Sequence, residues 1–115
     1  MSTPHITDGE SAVLEPLWRL GPLPPVALVE EVSARRGWGK PTVKTLLARL
    51  MRKGVVRSER EQGLLRYRAL VGRDDYIAAE VQALVERLFQ GDPGALLAYL
   101  EARHGGGSAD PAARA

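Results

Sequence analysis

GKPTVKTLLARLMRKG, residues 39 to 54, interleaves five basic side chains with six apolar ones and contains no acidic residue. Pro41 falls in the first turn of a helix, where a missing amide costs nothing, and Gly54 falls just past the end. At about 100° per residue, Val43, Leu46, Leu47 and Leu50 share one side of that helix. Thr45, Ala48, Arg49 and Arg52 lie opposite, flanked by Thr42 and Lys44. The stretch predicts a helix that buries one face and presents a cationic one.

Two further helices are expected before it. Thr7 and Glu10 stand at capping-box spacing, and Val13, Leu14, Leu17 and Trp18 form one apolar stripe. Pro16 removes an amide donor and crowds the carbonyl four residues back, which predicts a kink near Ala12 or a later start; Gly21 then stops the helix. PLPP, residues 22 to 25, reads as extended or turn-like, because each residue before a proline is pushed out of the α region. Pro25 opens a second helix that carries Leu28, Val29 and Val32 down to Arg35, with Gly37 as its left-handed cap.

After the quoted stretch, VVRSEREQGLLRYRAL (residues 55 to 70) predicts two strands, Val55 to Ser58 and Leu64 to Leu70, with a turn around Glu61, Gln62 and Gly63. Leu65, Tyr67 and Ala69 alternate with Arg66 and Arg68, giving one half-buried face and one basic face. Asp74 and Asp75 suit the first turn of a fourth helix, where carboxylates complement the dipole. Ile77, Val81, Leu84 and Leu88 follow at seam spacing. Gly91 ends that helix, and Asp92 caps a fifth with Pro93 at its first position. Leu96, Leu97 and Leu100 give the fifth helix an apolar face. GGGSADPAARA lacks anything to pack and is expected to be disordered. The expected organisation is a three-helix and hairpin domain over 1–72, a two-helix region over 73–104 and a tail over 105–115.

The composition sets bounds on all this. A chain of 115 residues has room for one compact domain and an appendage. With no cysteine, disulfides, thiolate metal sites and a cysteine nucleophile are excluded together. The start, MSTPHITDGE, has no apolar signal core, and no apolar run approaches the roughly 18 residues that span a bilayer, so a soluble, cytoplasmic protein is expected, with no membrane partner. Formal net charge is only +2, yet the segment from Arg35 to Arg68 holds eleven of the sixteen basic residues against Glu59 and Glu61, a local +9. The remainder, with five basic and twelve acidic residues, carries −7. Such polarisation points to a polyanion for the middle segment; the plainer alternative is a solvated basic face without a partner.

Three helices followed by a basic hairpin is the order of a winged helix-turn-helix: mainly α, with a small β-hairpin wing, followed here by C-terminal dimerisation helices. Its third helix enters the major groove and its wing follows the backbone. Double-stranded DNA is the partner this order favours, through counterion release. A winged-helix scaffold whose fourth helix recruits another protein is the alternative. A single winged helix reads only a few base pairs, so a homodimer on a pseudo-palindromic operator is expected.

LEPLW at 14 to 18, KPTVKTLLARLMRKG at 40 to 54 and RYRALVGRDDY at 66 to 76, taken in this order, resemble the BlaI/MecI/CopY family of winged-helix repressors over residues 6 to about 100. The resemblance implies a dimeric transcriptional repressor in which Thr42, Lys44, Thr45 and Arg49 stand nearest the base edges. The threonines suit a thymine methyl or a phosphate, while Lys44 and Arg49 suit guanine acceptors or the backbone. Lys40, Arg52, Lys53, Arg66 and Arg68 are expected on phosphates. Ile77, Val81, Leu84, Val85, Leu88, Phe89, Leu96, Leu97 and Leu100 are expected at the dimer interface.

Relatives in that family continue into a further terminal helix, whereas here GGGSADP follows soon after Leu100, so a weaker dimer is expected. The β-lactamase branch is induced by cleavage at an Asn-Phe bond, but this chain has no asparagine; the copper branch uses cysteines, also absent. The inducer, a regulatory protease or another signal, and the regulated genes are not named by the sequence. His5 and His104 lie at opposite ends and predict no shared metal site. GGGS is not a strand-to-helix phosphate loop, and no serine sits in a nucleophile elbow. No enzyme activity and no cofactor are expected, and Trp18 and Trp38 are read as core and loop packing.

Overall fold

The computed structural model describes residues 4–104, in the order α1 (Asp8–Leu20), α2 (Pro25–Arg36), α3 (Lys40–Arg52), β1 (Val56–Glu61), β2 (Leu64–Ala69), α4 (Arg73–Leu88) and α5 (Pro93–His104). The expected tail over 105–115 lies outside the described residues. Among the described residues no helix is long and apolar enough to cross a membrane.

The α1 helix starts where its capping box places it. Thr7 Oγ1 accepts the Glu10 amide at 3.1 Å, and Glu10 Oε1 accepts the Thr7 amide at 3.0 Å. Pro16 does not delay the start: it sits inside the helix and is itself buried. Two orphan amides satisfied at the cap offset the one donor that proline removes. The α2 helix ends as expected on Gly37, whose φ of 72° is the left-handed cap conformation.

The core of the first unit lies among these three helices. Val13, Leu14 and Leu17 of α1 meet Leu28, Val29 and Val32 of α2 and Val43, Leu46, Leu47 and Leu50 of α3, all of them buried. Burying each such side chain contributes about 1.5–3 kcal/mol, so the apolar stripes hold the helices in a fixed arrangement. Val55, Val56 and Val71 anchor the hairpin to that core.

The hairpin differs from expectation in one respect. Its first strand runs on to Glu61, and the connection is only Gln62–Gly63, with φ of 54° and 80°. Two residues with positive φ make a type I′ turn, whose twist matches the strands it joins and keeps Glu59–Arg66 through Glu61–Leu64 in register. Leu23, in the proline-rich link, exchanges both backbone hydrogen bonds with Tyr67 of β2, at 3.1 and 2.8 Å. The link is extended, as its prolines require, and it ties the wing to the α1–α2 connection.

Contacts divide the chain into two compact units, Met1–Tyr76 and Ile77–Ala115, a division that falls within α4. The first turn of α4 belongs with the first unit: Trp18 Nε1 donates to the Val71 carbonyl at 2.8 Å, and its ring lies 5.5 Å from that of Tyr76. Arg73 reaches over Trp18 and pairs with Glu15. In the second unit Val85 is buried, the rings of Phe89 and Tyr99 are 6.0 Å apart, and Asp92 caps α5 by accepting the Gly94 amide at 2.9 Å.

Candidate nucleic-acid interface

The α3 helix presents the split that its sequence predicts. Val43, Leu46, Leu47 and Leu50 face the core, while Lys40, Thr42, Lys44, Thr45, Arg49 and Arg52 are exposed. Among the described residues none of the four cations Lys40, Lys44, Arg49 and Arg52 has a carboxylate within ion-pair distance. Their charge is therefore offered to solvent or to a partner. The Thr45 hydroxyl donates to the Pro41 carbonyl at 3.0 Å, a back-bond to the preceding turn of the helix that restricts its rotamer.

Lys53 is engaged elsewhere. Its ammonium lies 2.6 Å from Glu10 Oε1 and donates to the His5 carbonyl at 2.7 Å. Glu10 is almost fully buried. Burial pushes its carboxyl up, but the Lys53 ammonium and the Thr7 amide outweigh that, leaving the carboxyl below its ordinary range. Lys53 thus pins the C-terminus of α3 to the N-terminus of α1. Sequence reasoning saw the Glu10 cap but not this partner, because 43 residues separate the two.

The wing arginines are also paired. Arg68 Nε lies 2.7 Å from Glu59 Oε1, Arg57 Nη2 lies 3.4 Å from Glu59 Oε2, and Arg66 Nη1 lies 3.4 Å from Glu61 Oε1. The side chain of Arg66 is half-buried, with its Nε shielded and without a partner among the described residues. Arg57 and Arg60, not singled out in the sequence, are exposed on the same hairpin.

A groove of about 210 Å³ runs beside α3, lined by Pro25, Val26, Val29 and Glu30 of α2 and by Lys40 and Lys44. Val26, with 68 % of its surface exposed, is an apolar contact point next to the cationic face that the sequence did not flag.

On the second unit the nine residues expected at an interface separate. Val85 is buried, Leu84, Phe89 and Leu96 are half-buried, and Ile77, Val81, Leu88, Leu97 and Leu100 are exposed.

A buried three-helix core with an outward cationic third helix, followed by a two-stranded hairpin, defines a winged helix-turn-helix protein. The model of the family described as penicillinase repressor matches residues 6–111. The chain belongs to that family. It is 36% identical over 113 residues to the transcriptional regulator BlaI of Mycobacterium tuberculosis, covering 96% of this chain and 82% of that protein. It is 26% identical over 88 residues to the penicillinase repressor of Bacillus licheniformis, 76% of this chain and 69% of that one. Among solved structures, monomeric B. licheniformis BlaI in complex with the blaP half-operator superposes with a TM-score of 0.59 at 27% identity, covering 65% of this chain and 92% of that one.

Proposed function

We propose that this protein is a DNA-binding transcriptional repressor that acts as a homodimer on a pseudo-palindromic operator. The observation that carries this reading is the exposed face of α3, where Lys40, Lys44, Arg49 and Arg52 have no carboxylate partner among the described residues. Such a face gains free energy by displacing condensed counterions from a duplex. Thr42, Lys44, Thr45 and Arg49 are the side chains for base edges, with Lys40 and Arg52 on flanking phosphates. Arg66 and Arg68 reach the backbone only in competition with Glu61 and Glu59, and Lys53 acts through its pair with Glu10. Relatives named as repressors, and the BlaI structure determined with a half-operator, support the reading.

Ile77, Val81, Leu88, Leu97 and Leu100 form the surface for the second copy. Two copies related by a twofold axis would place their α3 helices on half-sites one or more helical turns apart. The reaction implied is binding alone, in a cytoplasmic setting, with the inducer open. Titration of the protein against a duplex from its own upstream region tests the proposal: affinity should fall steeply as salt rises, and salt-independent binding would overturn it.

A further inference from the structure

The basic face of the wing carries its own anion. In the β1–β2 register Arg57 stands directly opposite Arg68, and alternation puts Glu59, Arg66 and Glu61 on the same face. Two guanidinium groups directly opposite one another repel. Glu59 lies between them: Oε1 receives Arg68 Nε at 2.7 Å and Oε2 receives Arg57 Nη2 at 3.4 Å. Its side chain is 27% exposed, whereas those of Arg57 and Arg68 are 59% and 44% exposed. Glu61 is the looser element, 60% exposed and 3.4 Å from Arg66. Both oxygens of Glu59 are therefore committed to the two cations nearest the base of the wing. One charge shared over two acceptor oxygens is also what a backbone phosphodiester presents to an arginine.

We infer that Glu59 is an internal competitor for DNA phosphate, a residue that sets the sequence-independent part of the protein's affinity by occupying Arg57 and Arg68. The inference rests on the DNA-binding reading above and adds to it a residue of the opposite charge. A phosphate arriving at the wing must share or displace this carboxylate, so contact there yields less than the count of arginines implies. The α3 helix has no such competitor among the described residues, so the balance of binding shifts from the wing to the groove-reading face. For a protein that must leave non-operator DNA, a weaker sequence-independent term shortens the time spent on wrong sites.

The test compares wild type with Glu59→Gln on an operator duplex and on a random-sequence duplex of equal length. Glu59→Gln should tighten binding to both by the same factor, roughly twofold to fivefold at about 50 mM salt, the worth of an exposed ion pair. The slope of log affinity against log salt should steepen by about one to two as the freed arginines engage phosphates. Glu61→Gln should have a smaller effect. Thermal melting checks that the hairpin has survived; independently of that, Arg68→Gln alone should weaken binding less than twofold, since Arg68 is already occupied. Unchanged or weaker binding by a folded Glu59→Gln protein, or a tenfold loss from Arg68→Gln, overturns the inference while leaving the DNA-binding reading in place. A wild-type chain that binds neither duplex overturns both.

Discussion

Lys53 Nζ and Glu10 Oε1 lie 2.6 Å apart and join the end of α3 to the start of α1. The carboxylate is buried and the ammonium partly exposed, so removing the lysine leaves a desolvated charge without its counterion. Lys53→Met should cost about 2–3 kcal/mol of unfolding free energy, somewhat less than breaking a fully buried pair because the lysine is partly exposed. Urea denaturation at neutral pH reads this directly. A loss below about 0.5 kcal/mol would mean that the pair is worth no more than a surface bridge.

The same pair fixes a pH dependence. The folded Glu10 carboxyl is held below its ordinary value, so the unfolded chain binds that proton at higher pH than the folded one. Its contribution is therefore complete above the ordinary glutamate pKa of about 4.3 and is lost as pH falls through the lower folded value. Glu10→Gln should flatten the acid limb of a stability-against-pH curve as pH falls below the ordinary glutamate range. An acid limb of wild-type steepness in that variant would assign the effect to other carboxylates.

The hairpin turn gives a third prediction. Gln62 adopts φ 54° and Gly63 φ 80°, a conformation that asparagine followed by glycine enters most readily. Gln62→Asn should raise stability by a few tenths of a kcal/mol, and Gly63→Ala should lower it by about 1 kcal/mol. Melting temperatures of the two variants should move in opposite directions from wild type.

Much of this architecture was legible because it is local. The alternation of core and cationic positions along α3, the Thr7–Glu10 cap and the Asp92 cap are each written within a few residues. The turn at Gln62–Gly63 was legible, but the first strand was ended at Ser58 instead of Glu61, because Glu-Gln-Gly lacks the asparagine or aspartate that advertises a two-residue type I′ pair and nothing local says that Gln62 takes a positive φ. The pairing of Lys53, Arg66 and Arg68 with carboxylates was invisible for a different reason. A basic residue counts as a cation in the sequence, and only the fold decides whether a carboxylate lies beside it. The burial of Val85 was hidden likewise, since seam spacing marks a stripe without saying which side of it is already covered.

The proposed dimer surface yields a contrast between neighbours. Leu88 is 54% exposed and Val85 is buried, although three residues apart on one helix. Leu88→Asp should give a folded monomer with much reduced operator affinity, because a charge in an apolar seam has no partner. Val85→Asp should unfold its own region instead, since it introduces an unpaired charge at a buried site. Sedimentation with circular dichroism separates the two, and a Leu88→Asp protein still dimeric at micromolar concentration would place the interface elsewhere.

The DNA-facing role of α3 is tested most directly by reversing charge on its exposed side. Lys44 and Arg49 are exposed and carry no internal pair among the described residues, so Lys44→Glu with Arg49→Glu should leave the melting temperature within a few degrees of wild type. Operator binding, measured by fluorescence anisotropy at fixed salt, should fall at least a hundredfold, as expected when two groove or phosphate contacts become repulsive. Operator affinity within threefold of wild type in the folded double variant would contradict the assignment of α3 as the DNA-reading element.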